Sequence, residues 1–293
     1  MIIGTRGSRL AMRQADMACA AIGHIFPAEP MEVKVITTGG DRDRCTPLEA
    51  MGGYGVFTKE LDQRLLSGEI DLAVNSLKDM PSVLTSGIRL VAVLPRGQVE
   101  DVLVSKVPLA DLPSGAVVGT SSVRRRALLG NLRPDLQVAE LRGNVTTRLN
   151  KWRRGEYQAI ILAGAGLERL EEGVPRHALD PEVWVPPAGQ GAIALVCRKE
   201  DQDVIKLSRL DHLPTRRCVD LERAMMAGLG ASCQVPIGIW ANIQEGKVEL
   251  QCVLLSPDGG WIKRWRATMP FDHGPEHMDT VVAALRAEWG TSI

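Results

Sequence analysis

Met1-Ile2-Ile3-Gly4-Thr5-Arg6-Gly7-Ser8-Arg9-Leu10-Ala11 opens the chain and sets the grammar of its first half. Ile2-Ile3 reads as a short strand, Thr5-Arg6-Gly7-Ser8 as a loop, and Leu10, Ala15, Ala18, Ile22 and Ile25 as an apolar stripe at helical spacing. That is a β-loop-α unit. Met31, Val33 and Val35 then alternate with Glu32 and Lys34 as a strand, Phe57, Leu61 and Leu65 mark a helix, and Leu72-Ala73-Val74 and the run from Leu90 to Leu94 are compact strands. The pattern predicts an α/β domain with a largely parallel sheet.

Working outward, Pro95-Arg96-Gly97 interrupts the pattern. Strand candidates Val102 to Val104, Val117-Val118, Val138-Ala139 and Ile160 to Leu162 then alternate with helical segments near 123–131 and 145–154, which predicts a second α/β domain. Pro186-Pro187 precedes Gly189-Gln190-Gly191 and the apolar run from Ala192 to Val196, read as the chain returning to the first domain. Two such crossings imply a hinge and a cleft, as in bilobal binding proteins. Beyond about residue 206 one helix (Leu221, Met225, Leu229), strand candidates at 235–240, 247–255 and 261–268, and a helix over 275–289 predict a small α+β domain. The expected division is 1–94 with 188–206, then 95–187, then 207–293. No internal repeat or low-complexity segment stands out.

At 293 residues two or three compact domains are expected. Basic and acidic side chains number 35 each, so no global field draws the chain to nucleic acid or to an anionic membrane, and recognition by charge must be local. There is no signal-peptide pattern and no run of 18 apolar residues, which reads as cytoplasmic and unanchored. The six cysteines form no CxxC pair, and His273 and His277 flank Gly274-Pro275, which breaks the helix a metal pair would need; no metal site is expected.

Four loops share one position, each after a strand and before a helical segment. They are Thr5 to Ser8, Asn75-Ser76-Leu77-Lys78-Asp79, Thr120-Ser121-Ser122 with Arg124-Arg125-Arg126, and Arg142-Gly143-Asn144. The carboxyl ends of strands in open α/β sheets face the ligand crevice, and helix N-termini there present free N–H groups to anions. Between 124 and 154 nine basic residues, eight of them Arg, face only Asp135 and Glu140. Arginine suits carboxylates, because its planar fork meets two oxygens and stays charged. A solvated helix face explains Arg126, Lys151, Arg153 and Arg154 equally well, whereas Arg124, Arg125, Arg142 and Arg148 sit at strand-to-helix turns. Nucleic acid is a poor alternative, with only Trp152 nearby to stack a base.

Asp79 beside Lys78 is either a surface ion pair or an acid in a cationic crevice, able to bind an N–H, stabilise a cation or exchange protons. Cys233 lies in a glycine-flanked loop, Gly230 to Gly238, and composition leaves a buried structural thiol and a reactive one equally open.

Seven segments in order carry a resemblance that is nearly end to end. They are Gly4 to Ala11, Gly52 to Leu61, Asn75 to Pro81, Gly119 to Arg125, Leu141 to Leu149, Gly189 to Ala192 and Cys233 to Gly238. Together they resemble the hydroxymethylbilane synthase, or porphobilinogen deaminase, family of tetrapyrrole and heme biosynthesis. The resemblance implies two domains arranged like a type II periplasmic binding protein, a third small domain, and a dipyrromethane cofactor joined by thioether to Cys233. It implies a cytoplasmic monomer that adds four porphobilinogen units head to tail, each losing ammonia, before water releases the linear tetrapyrrole. Asp79 matches the catalytic acid that contacts pyrrole N–H groups and stabilises the azafulvene cation. Ser76, Lys78, Thr120, Ser121, Ser122, Arg124, Arg125, Arg142 and Gly143 match cofactor-binding positions. Arg6, Ser8, Arg148 and Gln190 match substrate-binding positions, Arg176 is a further candidate, and Phe57 belongs to a lid over about 41–57. Asn75 departs from the family's usual His, and Met51 and Tyr54 stand where the lid often carries Lys. A non-catalytic bilobal protein binding a small dicarboxylate is the alternative from another class.

Overall fold

The computed structural model describes residues 1–42, 58–201, 203–231 and 234–290, without the side chains of 41, 42, 204 and 205. They form two compact units, Met1–Gly97 with Gly191–Val219, and Gln98–Gln190 with Asp220–Ile293.

The first unit contains β1 (Ile2–Arg6), α1 (Arg9–Ile25), β2 (Glu32–Ile36), α2 (Gly39–Arg42), α3 (Lys59–Leu66), β3 (Leu72–Ser76) and β4 (Ile88–Val93). The second continues with β5 (Asp101–Val104), β6 (Val117–Gly119), α4 (Val123–Leu132), β7 (Gln137–Ala139), α5 (Val145–Arg153), β8 (Ala159–Ala163), α6 (Gly164–Arg169) and β9 (Arg176–Ala178). The chain then returns to the first unit with β10 (Ile193–Arg198), α7 (Val204–Leu207) and the start of α8 (Leu213–Gly228). The end of α8, β11 (Ile237–Gln244), β12 (Lys247–Leu255), β13 (Ile262–Pro270) and α9 (Met278–Trp289) belong to the second.

Three of the helices, α1, α4 and α5, start where a side chain takes up an orphan N–H group of the first turn. Ser8 accepts from the N–H of Ala11, Ser122 from that of Arg125, and Asn144 from that of Thr147. α1 buries Ala11, Gln14, Ala15, Ala18 and Ile22; of the expected stripe Ala15, Ala18 and Ile22 are buried, while Leu10 and Ile25 at its ends are only half-buried.

The sheet orders are β2-β1-β3-β10-β4 and β7-β6-β8-β5-β9. The expectation of a largely parallel sheet is corrected by the pairing. β1 is parallel to β2 and β3, but β10 is antiparallel to β3 and β4. In the second sheet β6 is parallel to β7 and β8, while β5 is antiparallel to β8 and β9. Parallel neighbours require a crossover connection within the unit. β5 and β10 are the strands on which the chain enters a unit from the other, so no crossover dictates their direction. The two sheets thus repeat one topology that the sequence does not display as a repeat.

Both faces of the first sheet are covered. Alternate residues of β10 go to opposite cores, Ile193, Leu195 and Cys197 with the α1 side, and Ala194 and Val196 with the α3 side. In the second unit α5 and α6 cover one face. On the other, Ala127, Leu128 and Leu129 of α4 share a core with Trp240, Val253 and Leu255 of the antiparallel sheet β11-β12-β13. The β12–β13 turn lies directly on α4. Asn131 Nδ2 donates to Gly259 O at 3.0 Å, and a Cβ on Gly130 would stand 2.3 Å from the carbonyl oxygen of Asp258.

Candidate functional site

β3 ends in a single 3-10 turn, Leu77–Asp79, not in the helix expected after this loop. Leu77 and Met80 are buried, and Leu77 N–H donates to Ala192 O at 3.1 Å, so the turn is pinned by its apolar residues. Lys78 and Asp79 between them stay half-buried. A cavity of about 60 Å³ opens here, lined by Arg6, Ser8, Gln14, Asn75, Ser76 and Asp79 among others. Buried Gln14 reaches across from α1 and donates to Ser76 Oγ at 2.8 Å, holding the loop against the helix. Nδ2 of Asn75 and Oγ1 of Thr58, a further lining residue, are buried without a hydrogen-bond partner among the described residues.

The second unit holds the other candidates in two loops. Ser121 Oγ donates to Leu141 O at 2.6 Å and so joins the Thr120–Ser122 loop to the Arg142–Asn144 loop. Thr120 is buried, and its Oγ1 accepts from the N–H of Ser122 at 3.2 Å. Gly143 has φ 111°, a conformation that glycine adopts without strain, and a Cβ there would stand 2.7 Å from the Thr147 side chain. Arg148 Nε donates to Gly143 O at 2.7 Å, and Arg142 Nε lies 3.1 Å from Glu140. Both arginines remain half-buried.

Arg124 and Arg125 are placed differently. They lie in the first turn of α4 but are only 4% and 6% exposed. Both turn to Asp101, the first residue of β5, which is fully enclosed. Asp101 Oδ2 accepts from Arg124 Nη2 at 2.6 Å, Arg125 Nε at 3.0 Å and Trp184 Nε1 at 2.9 Å. Its Oδ1 accepts from Arg125 Nη2 at 2.6 Å and Gln190 Nε2 at 3.0 Å. Burial alone would push the Asp101 carboxyl up, but the guanidinium groups of Arg125 and Arg124 outweigh it and hold it well below the usual carboxylate range. Gln190 is wholly enclosed and also donates to Val99 O at 2.6 Å.

Asp101 and Trp184 were not among the sequence candidates. The available signal was an acid heading the apolar run Asp101-Val102-Leu103-Val104, because a charge at the start of a buried strand demands a partner. Arg153 and Arg154 prove to be surface residues paired with Glu172 and Glu156, and Arg126 is exposed. Arg176 stands on β9, exposed, and donates to Glu172 O at 3.4 Å. Of the other cysteines, burial pushes Cys197 up to about 11 and raises Cys252 and Cys19, so these thiols stay protonated at neutral pH. Cys233, Phe57, Met51 and Tyr54 lie outside the described residues. Among the described residues no group of three or more His, Cys, Asp or Glu could hold a metal ion.

Two five-stranded mixed sheets of one order, with arginine- and hydroxyl-bearing loops at the ends of their parallel strands, define a mixed α/β protein that also carries a small three-stranded antiparallel sheet with helices towards its C-terminus. Residues 1–206 match the family description "Porphobilinogen deaminase, dipyromethane cofactor binding domain", and residues 216–278 its C-terminal domain. The chain belongs to the porphobilinogen deaminase family. It is 42% identical over 295 residues to the porphobilinogen deaminase of Geobacillus kaustophilus, covering 99% of this chain and 94% of that one. To that of Bacillus subtilis it is 40% identical, covering 98% and 93%. Among solved structures, the periplasmic aliphatic sulphonate binding protein SsuA of Escherichia coli gives a TM-score of 0.39 at 16% identity, over 78% of this chain and 69% of that one.

Proposed function

We infer that the chain is a hydroxymethylbilane synthase. It joins four porphobilinogen units head to tail, one C–N bond breaking with loss of ammonia for each unit attached, and water releases the product. Family membership over nearly the whole length carries this conclusion, and it disfavours the dicarboxylate-binding alternative.

Each pyrrole of the substrate bears an acetate and a propionate, and the arginine-rich stretch 124–154 of an otherwise neutral chain suits them. Two guanidinium groups buried against the single carboxylate of Asp101 leave positive charge in excess, which fits a dipyrromethane with its four carboxylates. Once joined to Cys233, that group supplies a tethered primer with a nucleophilic pyrrole carbon. Asp79 accepts the pyrrole N–H and stabilises the cation that forms as ammonia departs. Arg6, Ser8 and Arg148 serve the incoming substrate directly, and Gln190 serves it from behind the site, through the groups it holds. Ser76, Lys78, Thr120, Ser121, Ser122, Arg124, Arg125, Arg142 and Gly143 serve the primer, and Phe57 acts in the lid. The proposed organisation is three domains, 1–94 with 188–206, 95–187 and 207–293, in a monomer of the cytoplasm. No helix of the described residues is long and apolar enough to cross a membrane.

The decisive experiment is the intact mass of protein made in cells that produce porphobilinogen. Two extra pyrrole units are expected on the wild-type chain and none on Cys233→Ser. An unmodified wild-type protein that releases no ammonia from porphobilinogen would sink the assignment.

A further inference from the structure

We propose that Asp101 is a positioning residue for this condensation, and that Trp184 and Gln190 act through it. The proposal rests on the activity inferred above. It starts from how the Asp101 carboxylate is used. Both oxygens are saturated from two sides, with Arg124 and Arg125 on α4 as one set of donors and Trp184 and Gln190 as the other.

The second set belongs to one short stretch, and that stretch is itself fixed. Gly189 N–H donates to the buried Glu222 Oε2 at 2.7 Å, and Pro186 O accepts from Ile239 N–H at 2.9 Å. Arg124 Nη1 also donates to Val185 O at 2.9 Å. The orientation of the guanidinium groups is therefore set by a path running from the 184–190 stretch through one carboxylate to the first turn of α4.

The remaining donors say what the path is for. A guanidinium carries five N–H groups. Arg125 commits three of its own, to Asp101 and to Ile161 O, and Arg124 commits two. The rest have no protein acceptor among the described residues, and on this assignment they meet the carboxylates of the bound molecule. Two cations at a helix N-terminus are also electrostatically misplaced, because that end of the helix is already positive. Asp101 offsets one of them, and no second acid among the described residues pairs with either. An acid kept only for stability would balance the charge it meets, whereas this one leaves an excess and fixes its direction. A substrate class bearing several carboxylates is the natural counter-charge.

Gln190 is accordingly assigned to hold Asp101 from inside the fold, since its side chain is wholly enclosed.

The test sets Asp101→Asn beside Leu129→Ala, a truncation in the buried face of the same helix. Both are expressed with the wild type in cells that make porphobilinogen, weighed intact, and assayed for ammonia release. Asp101→Asn is expected to carry the two-pyrrole increment on at most about a tenth of its molecules, or to show a KM for porphobilinogen raised about tenfold with a smaller change in kcat. Leu129→Ala, destabilised through packing alone, is expected to load and bind as the wild type does. If Asp101→Asn loads as fully as Leu129→Ala and has the same KM, the proposal is overturned. Should Asp101→Asn fail to fold, Trp184→Phe decides: it keeps the aromatic packing and removes the Nε1 donor. A KM raised several-fold in a stable Trp184→Phe supports the proposal, and full loading with wild-type KM refutes it. A wild-type chain lacking the increment would instead defeat the inferred activity, so the two failures are distinguishable.

Discussion

Asp79 closes a strand of the first unit on a short turn and stays half-buried at a cavity, whereas Asp101 begins a strand of the second unit, is fully enclosed, and accepts hydrogen bonds from four side chains. Both are aspartates beside cationic neighbours. They differ in whether protein donors have already taken up the lone pairs. A carboxylate saturated from within contributes stability and direction, and one left at a cavity is available to a bound molecule.

Substitution is the strongest way to break this contrast. Asp79→Ala should lower turnover by about 10³-fold or more while moving unfolding stability by no more than about 0.5 kcal/mol. Ammonia release and a urea titration measure the two, and a large stability loss would erase the distinction.

The reverse is expected at Asp101. Asp101→Asn leaves buried guanidinium groups without their counter-charge and should cost about 3–5 kcal/mol of unfolding stability. The pH dependence sharpens the point. Because the folded-state carboxyl is held below its unfolded value, its contribution is complete above about pH 4 and is lost as pH falls from there. The wild type should lose stability on acidification more steeply than Asp101→Asn, as measured by thermal unfolding between neutrality and pH 3.

A third aspartate gives the smallest effect and the opposite sign. Asp62 of α3 is buried, accepts from Thr85 Oγ1 at 2.7 Å, and leaves Oδ1 without a partner among the described residues. Burial pushes its carboxyl up against that one hydrogen bond. Its charged form therefore costs stability, and the cost appears as pH rises past the unfolded-state value. Asp62→Asn should stabilise the protein by about 0.5–1 kcal/mol at neutral pH, and the gain should vanish in acid. A gain independent of pH would assign the effect to packing instead.

Much of this contrast was hidden from the sequence for a physical reason. Period-2 and helical spacing are local, so the α/β class, the strand-end loops and the position of Arg124 and Arg125 at a strand-to-helix turn could be read directly. Their environment could not. Asp101 precedes them by more than 20 residues, while Trp184 and Gln190 lie more than 80 residues beyond Asp101. The antiparallel placing of β5 and β10 is non-local in the same way. β9 was missed because Arg176-His177-Ala178 shows no apolar alternation and is defined only by pairing with β5. The Asp79 loop was legible because it is local, with strand, turn and acid falling within five residues of one another.

Ser256-Pro257-Asp258-Gly259-Gly260 has the composition of a tip where an insertion is ordinarily harmless. Here it is a seam. Gly259 presses against α4 so closely that a methyl group on it would stand 2.3 Å from Ala127 O. For an engineer choosing where to splice a label, this turn is the place to avoid, since a wedge there would prise the hairpin from the helix bearing Arg124 and Arg125. The turn between β11 and β12, where Gly246 has nothing within 4 Å of an added Cβ, offers room without that penalty.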